Sequence, residues 1–133
     1  MKAITTPTTA TDGFLAAVRG AYGTSDVWAA DAVLDAVLPN WHMTVTGKTS
    51  IENQLQVWFG HAGTLERLRR HRIDGGEVVE FTVTWVEGGV LHQARQVHIL
   101  EFNADGHIAQ DAMWCGGRWP ASLLAEMAAS GGE

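Results

Sequence analysis

The chain has little cysteine and few basic residues, and these shortages exclude several classes of protein. Its 133 residues contain one cysteine, Cys115, so no disulfide forms within the chain, and the composition fits a reducing compartment. Nine basic residues stand against fifteen acidic residues, which gives a formal net charge of −6. This balance argues against binding to nucleic acid or to a membrane surface.

Long apolar segments are also missing. No run approaches the ~20 residues that span a bilayer, and the N-terminus lacks the apolar core of a secretory signal. We therefore expect a cytoplasmic protein. The length suits one domain, which we place at residues 12–133 after a mobile tail of residues 1–11 that is rich in threonine.

Motifs for metal, phosphate and nucleophilic chemistry are absent. The six histidines form no H-E-x-x-H motif and no tight cluster with cysteine, so we predict no metal site. The sequence contains no Gly-rich phosphate loop and no Ser-His-Asp order.

The most informative stretch is residues 91–116, which reads as two long strands joined by a turn at Asp105-Gly106. Counting back from this turn predicts four pairs: Phe102 with Ala109, Leu100 with Asp111, His98 with Met113, and Gln96 with Cys115. A second turn at Gly88-Gly89 predicts four more: Trp85 with His92, Val83 with Ala94, Phe81 with Gln96, and Val79 with His98. Because side chains alternate along a strand, all of these share one face of the sheet.

That shared face is largely apolar but contains His92, Gln96, His98, Asp111 and Cys115. An apolar sheet face with a few convergent polar groups is typical of a pocket wall. The residues predicted to contact a substrate are Tyr22, Trp58, Phe81, Trp85, His92, Gln96 and Met113.

The rest of the chain predicts an α+β fold. We expect helices at residues 12–22 and from Ser25 or Asp26 to Leu38, and a third opened by a capping box at residues 49–52. The predicted strands are residues 40–46, 65–73, 77–87, 90–103 and 107–115, and a short helix follows Pro120. Together they predict a cone, in which a strongly bent antiparallel sheet wraps over three N-terminal helices and a short C-terminal helix follows.

Three short motifs, in this order, resemble the nuclear-transport-factor-2-like superfamily, and within it the SnoaL-like proteins. They are H-x-x-x-x-G-x-x-x-I (His42, Gly47, Ile51), D-G-x-I (Asp105, Gly106, Ile108) and C-x-G-x-W (Cys115, Gly117, Trp119). The resemblance covers about residues 12–128. It implies a conical pocket, a homodimer and no obligatory cofactor. Members include polyketide cyclases, ketosteroid isomerases, limonene-type epoxide hydrolases, scytalone-type dehydratases and binding proteins, so the fold does not determine the function.

The residues predicted to act in catalysis are His42, His98 and Asp111. Asp111 and His98 are diagonal neighbours in the predicted hairpin and suit a general base with its orienting partner. The alternatives are an Asp111 turned to the solvated rim and a His98 that merely fills the core. Alternation leaves the face of His42 ambiguous, and the resemblance implies the pocket. The family position that often has a catalytic carboxylate falls here at Met113.

Other groups have simpler interpretations. Four arginines at positions 67, 69, 70 and 72 predict either an anion-binding patch or, preferably, a charged edge strand that discourages aggregation. Cys115 is expected to be a small buried apolar residue. Trp114 points outward and is expected in a dimer interface on the outer sheet face.

These features predict cofactor-independent acid–base catalysis on a small, largely apolar carbonyl compound such as a polyketide or terpenoid. Cyclisation, isomerisation and dehydration fit equally, with Gln96, Tyr22 or Trp58 positioning the substrate or stabilising the developing oxyanion. Two alternatives stay open: a ring-opening hydrolase that resembles epoxide hydrolases, and a non-catalytic small-molecule-binding protein.

Overall fold

The computed structural model describes residues 7–21 and 26–131. Its elements, in chain order, are α1 (Pro7–Val18), β1 (Trp28–Leu38), β2 (Trp41–Thr46), α2 (Lys48–Trp58), β3 (Gly63–Ile73), β4 (Gly76–Glu87), β5 (Val90–Phe102), β6 (Ile108–Cys115), β7 (Trp119–Pro120) and α3 (Ala121–Ala129). None of the helices in this part of the chain is long and apolar enough to cross a membrane.

The strands form one strongly curled, unclosed sheet, and the predicted α+β class is confirmed. Hydrogen-bonded neighbours follow the order β2-β1-β6-β5-β4-β3, and β7 pairs with β5. All pairs are antiparallel except β1 with β6, which is parallel. The arginine-rich strand β3 is an edge strand of this sheet, as predicted.

The prediction of a second helix is wrong, because residues 28–38 form the strand β1. Ala32, Leu34 and Ala36 are buried while Asp35 is exposed, which is the two-residue period of a strand. β1 hydrogen-bonds to β2 on one side and to β6 on the other. Pairing on both edges outweighs the helix propensity of its alanine and leucine residues. Within the described residues, two helices and not three therefore precede the meander of strands β3 to β6.

The ends of the helices also differ from the predictions. α1 begins at Pro7, so residues 7–11 belong to this helix and not to a tail, and Ala10 and Thr11 are buried. α2 has Gly47 as its N-cap with no side-chain hydrogen bond, so the predicted capping box does not form. The predicted helix after Pro120 is present as α3, and its Leu123 is 36% exposed.

The register predicted for the long strands is confirmed at seven of its eight pairs. The exception is Phe102, which pairs with Ile108 and not with Ala109. The turn is longer than two residues, because the side chain of Asn103 accepts hydrogen bonds from the backbone N–H groups of Asp105 and His107, each at 3.0 Å. A bulge after this turn restores the predicted register from Glu101 onward.

A second irregularity, in β3, determines where the arginines point. Glu66 pairs with Thr82 and Arg69 with Glu80, so two residues oppose one between them, and Arg67 has a positive φ of 51°. The extra residue reverses the alternation of inner and outer faces beyond it. Arg69 and Arg70 therefore each lie on the face opposite to the one that an unbroken strand would give.

Because of this reversal, Arg70 lies on the face of the sheet that packs against the helices, and it contacts α1. Its Nε donates to Glu77 at 2.8 Å and its Nη1 to Asp12 of α1 at 2.7 Å. Burial raises the pKa of Glu77, but hydrogen bonds from Arg70 and Thr11 outweigh it, so the pKa stays below its ordinary value. The ion pairs therefore connect α1 to the β3–β4 edge.

The core lies between the inner face of the sheet and the helices α1 and α2. Fully buried side chains on this surface include Phe14, Val18, Ile51, Leu55, Val79, Phe81, Val83, Leu100 and Ile108. Open space remains beside this packing, near the last turn of α2.

Candidate active site

A cavity of about 210 Å³ lies between the end of α2 and the strands β4, β5 and β6. Its walls are Leu38, Pro39, Trp58, Phe59, Trp85, Ala94, Gln96, Met113, Cys115, Gly117 and Arg118. Most of these are apolar or aromatic. The polar exceptions are the amide of Gln96, the thiol of Cys115 and the guanidinium of Arg118, so the space suits a small apolar molecule with few polar groups.

Gln96 connects this cavity to a buried acid–base pair. Gln96 and His98 are two residues apart on β5 and share its inner face, and Nε2 of His98 lies 2.8 Å from Oε1 of Gln96. The other ring nitrogen, Nδ1, lies 2.9 and 3.0 Å from the carboxylate oxygens of Asp111 on β6. Both His98 and Asp111 are almost completely buried, at 0% and 1% exposed. The predicted Asp–His pair is therefore present, and Asp111 does not turn to the solvated rim.

Aromatic rings hold the imidazole of His98 in place. Phe81 stacks on it with ring centres 5.4 Å apart and planes 13° apart, and Phe14 of α1 packs edge-on at 4.8 Å. These rings separate the pair from solvent. Among the described residues every buried side-chain nitrogen and oxygen has a hydrogen-bond partner, which is what makes a carboxylate tolerable at this depth.

The amide of Gln96 fits two protonation states of His98. With its oxygen toward Nε2, it accepts from an imidazolium, and its NH₂ donates to Sγ of Cys115 at 3.5 Å. After a half-turn of the amide, the NH₂ would donate to a neutral ring and the oxygen would face the thiol. In either orientation the amide, the ring and the thiol all have hydrogen-bond partners.

The mouth of the cavity is built around the indole of Trp85. Its Nε1 donates to Glu87 at 3.0 Å, the imidazole of His92 stacks on it at 5.6 Å, and the guanidinium of Arg118 lies 4.9 Å from its centre. Arg118 also donates to Glu87 at 2.8 Å. The hydrogen bond from the Trp85 indole, then the charge of Arg118, holds the pKa of Glu87 below its ordinary value.

The prediction that His42 faces the pocket is wrong. Its side chain is 64% exposed on the outer face of the sheet, where it bonds to Asp35 of β1. On β2 the inner face belongs to Met43 and Val45, which pack against the core. Simple alternation thus decides the side of β2 on which His42 lies.

The other predicted site residues fall into three groups. Trp58, Trp85, Gln96 and Met113 line the cavity. Phe81 lies behind it on His98, and His92 supports Trp85 from the side. Tyr22 lies outside the described residues.

Some residues of the cavity were not predicted from the sequence. Cys115 was placed on the correct face but not assigned to the pocket. Arg118 and Pro39 lie next to turns, outside the periodic pattern of a strand or helix, so no spacing identified them. For Arg118 the only local signal is the glycine pair before it, which brings the chain back over β5.

The described residues contain no cluster of side chains suited to binding a metal ion. Within residues 7–21 and 26–131 no group of three or more His, Cys, Asp or Glu side chains could hold a metal ion. The pair His98–Asp111 has no third such neighbour there.

Comparison with known proteins supports the fold. No family model matches the sequence, and no curated protein matches it. Among solved structures, a candidate polyketide cyclase from Xanthomonas campestris is similar at a TM-score of 0.64 and 16% identity, over 81% of this chain and 88% of that chain. A protein with a ketosteroid isomerase-like fold from Catenulispora acidiphila, solved in complex with trimethylamine, is similar at 0.61 and 20% identity, over 91% and 92%.

A third structure, an NTF-2 like protein of unknown function from Burkholderia xenovorans, is similar at a TM-score of 0.60 and 16% identity, over 84% of this chain and 83% of that chain. The chain has the nuclear-transport-factor-2-like fold. Solved structures with this fold include one named as a candidate isomerase from Bacillus subtilis and the candidate polyketide cyclase above.

Proposed function

We propose that the protein is a cofactor-independent acid–base catalyst of the isomerase, cyclase or dehydratase type, acting on a small, largely apolar carbonyl compound. The supporting observation is the chain Gln96–His98–Asp111, which begins in the wall of an apolar cavity and ends at a buried carboxylate. A general base needs a positioned imidazole and a partner that stabilises its charged form. Asp111 is that partner.

In the proposed reaction His98 begins as the neutral ring with Nε2 unprotonated, and the NH₂ group of Gln96 donates to the substrate carbonyl oxygen. The Gln96 side chain turns away from His98, and Nε2 takes a proton from the carbon next to the carbonyl. The electron pair of the broken C–H bond moves into an enolate, whose oxygen is stabilised by the amide N–H. Asp111 retains the hydrogen bond from Nδ1 and stabilises the imidazolium.

The fate of the enolate then defines the reaction. Return of the proton from Nε2 to a different carbon isomerises the substrate. Attack of the enolate carbon on a second carbonyl carbon closes a ring, and the imidazolium then protonates the new alkoxide oxygen. Loss of a β-hydroxyl group, protonated by the imidazolium, releases water. All three need only one base and one hydrogen-bond donor.

Deuterium exchange tests this proposal without knowledge of the natural substrate. Simple ketones such as cyclohexanone incorporate deuterium from D₂O next to the carbonyl, and NMR or mass spectrometry measures the rate. We expect the protein to accelerate this exchange and His98→Gln to reduce the acceleration about a hundredfold or more, which is the usual contribution of a general base. Asp111→Asn should also reduce it while ketone binding persists.

The matched control is Asp35→Asn, which alters an exposed Asp–His pair on the outer face of the same sheet. Its exchange rate should equal that of the unmodified protein. If no ketone in a panel of ring sizes exchanges faster with the protein than without it, the catalytic proposal is wrong.

A second candidate function is non-catalytic binding of a small molecule. It is favoured by one observation: His98 is fully buried behind Gln96 and does not line the cavity. In this case ketones bind, no exchange occurs, and Asp111→Asn changes neither result. The ring-opening hydrolase and the cytoplasmic location stay predictions.

We also propose that the protein forms a homodimer through the outer face of the sheet. Val37 and Trp114 pair in the register of β1 and β6 and are 37% and 44% exposed. Adjacent exposed apolar side chains on an open sheet face favour burial against a second copy.

A further inference from the structure

The size and wall chemistry of the cavity restrict its ligand more closely than the fold does. We infer that the cavity takes a single-ring carbonyl compound and excludes multi-ring polyketides and steroids. This inference rests on the proposed function for the choice of site, but it concerns binding and is tested without turnover.

The volume limits the part of a ligand that the walls can enclose. A protein cavity of about 150 Å³ holds one benzene molecule, and sites for drug-sized ligands measure about 300–1,000 Å³. The present cavity, at about 210 Å³, lies just above the first value. Scaling from benzene gives roughly eight or nine non-hydrogen atoms, which is one six-membered ring with a short substituent.

The inner walls resist expansion. Ala94, Met113 and Phe59 are 1%, 1% and 5% exposed and belong to the packed core, so moving them would disturb the sheet or α2. Trp85 is fixed by its hydrogen bond to Glu87 and by the imidazole of His92 and the guanidinium of Arg118 that pack on it. Close-packed interiors transmit such strain, which makes an enlarged ligand costly.

The amide of Gln96 favours a ligand with a carbonyl oxygen. Its NH₂ group donates to the thiol of Cys115 at 3.5 Å, and sulfur is a weak acceptor. A carbonyl oxygen in the cavity would accept this hydrogen bond better than sulfur does. A hydrocarbon of the same shape would gain nothing from Gln96, so the amide should select ketones over hydrocarbons.

Isothermal titration with four probes tests both parts of the inference. The probes are acetophenone, its isosteric hydrocarbon cumene, the two-ring ketone 2-acetylnaphthalene and a steroid ketone. We expect acetophenone to bind about fivefold more tightly than cumene, from one net hydrogen bond, and the two larger ketones not to bind. Equal affinity for acetophenone and the larger ketones would overturn the size limit. Equal affinity for acetophenone and cumene would overturn the selection for a carbonyl.

Variants that change the volume move the limit in both directions. Trp58→Ala should admit 2-acetylnaphthalene, and Ala94→Leu should abolish binding of acetophenone. Trp41→Ala, at a tryptophan that is 67% exposed on β2, is the matched control and should bind like the unmodified protein. Leu38→Ala repeats the enlargement at another wall if Trp58→Ala does not fold, and a limit that no enlargement shifts would contradict the inference.

Variants of Gln96 separate the hydrogen bond from the volume. Gln96→Met keeps the side-chain length without a donor, and Gln96→Glu keeps an oxygen for His98 but also lacks the N–H. In both, the preference for acetophenone over cumene should disappear. Gln110→Met, at an exposed glutamine on β6, should retain it. A preference that survives both Gln96 variants would show that another group selects the carbonyl.

The outcomes distinguish this inference from the proposed catalysis. Size-limited binding of acetophenone without deuterium exchange leaves the inference intact and removes the catalytic proposal. Exchange that occurs only with multi-ring ketones supports catalysis and overturns the inference.

Discussion

His98 and Asp111 form a hydrogen bond across two strands although neither lies opposite the other. In the register of β5 and β6, His98 pairs with Met113 and Asp111 pairs with Leu100. Their side chains meet on the diagonal, with Nδ1 2.9 Å from Oδ1. Because both are buried, the hydrogen bond between them compensates part of the hydration that each has lost.

The first prediction concerns the stability of this pair. Asp111→Ala should lower the free energy of unfolding by about 3–5 kcal/mol, because it leaves a buried imidazole without its acceptor. The double variant His98→Phe/Asp111→Leu should recover at least half of that loss, since apolar residues of similar size can replace a buried pair. Urea unfolding measures both values.

The double variant also separates stability from chemistry. If it is stable but shows no deuterium exchange, the pair exists for function and not for folding. A double variant less stable than Asp111→Ala would contradict this prediction.

The second prediction concerns acid unfolding at the α1 contact. Glu77 has a lowered pKa in the folded protein, so it contributes stability that is complete above its unfolded pKa of about 4.3 and is lost as the pH falls through its folded pKa. Glu77→Gln should therefore cost about 1–3 kcal/mol at pH 7, and its difference from the unmodified protein should shrink below about pH 4.

Glu80→Gln is the matched control on the same strand, because Glu80 pairs with Arg69 at the exposed surface. We expect it to cost no more than about 1 kcal/mol. Equal effects of the two substitutions would mean that the contact with α1 adds nothing to stability.

The third prediction concerns the bulge in β3. Arg67 has a φ of 51°, a region that disfavours residues with a Cβ atom. Arg67→Gly should raise the free energy of unfolding by about 0.5–1 kcal/mol, whereas Arg72→Gly on the same strand should lower it by a similar amount. Thermal melting compares the two, and a loss of stability in both would contradict the expected strain.

The fourth prediction tests the proposed dimer. Sedimentation equilibrium should give a dimer for the unmodified protein and a monomer for Trp114→Lys, because the substitution places a charge in the proposed apolar contact. Trp41→Lys changes an exposed tryptophan outside this patch and should remain a dimer. A monomeric unmodified protein would rule out the interface.

The strands that contain the candidate site could be predicted from the sequence because their turns are short and their alternation is strict. Gly88-Gly89 fixes the register of β4 and β5, and that register places Gln96 and His98 on one face. The same counting brought Asp111 beside His98 even though the turn at Asp105-Gly106 is longer than predicted. Here the bulge compensates for the longer turn.

The strand β1 could not be predicted from its own residues, because its secondary structure depends on the strands that pair with it. Val27, Ala30, Leu34 and Val37 match a helical stripe, and nothing local shows that β2 and β6 will pair on its two edges. The prediction for His42 was wrong for a different reason. Alternation left its face ambiguous, and the inner face that the resemblance implied for it is taken by Met43 and Val45, which pack against the core.

The parallel contact between β1 and β6 has a consequence for folding kinetics. It joins the hairpin of β1 and β2 to the meander of β3 to β6, and within each of these units the strands that pair are neighbours in the sequence. Joining distant segments is slow because loop-closure entropy is lost before the contact forms. We expect docking of these units to limit the folding rate, and pulsed hydrogen exchange should protect the amides of β4 and β5 before those of β1.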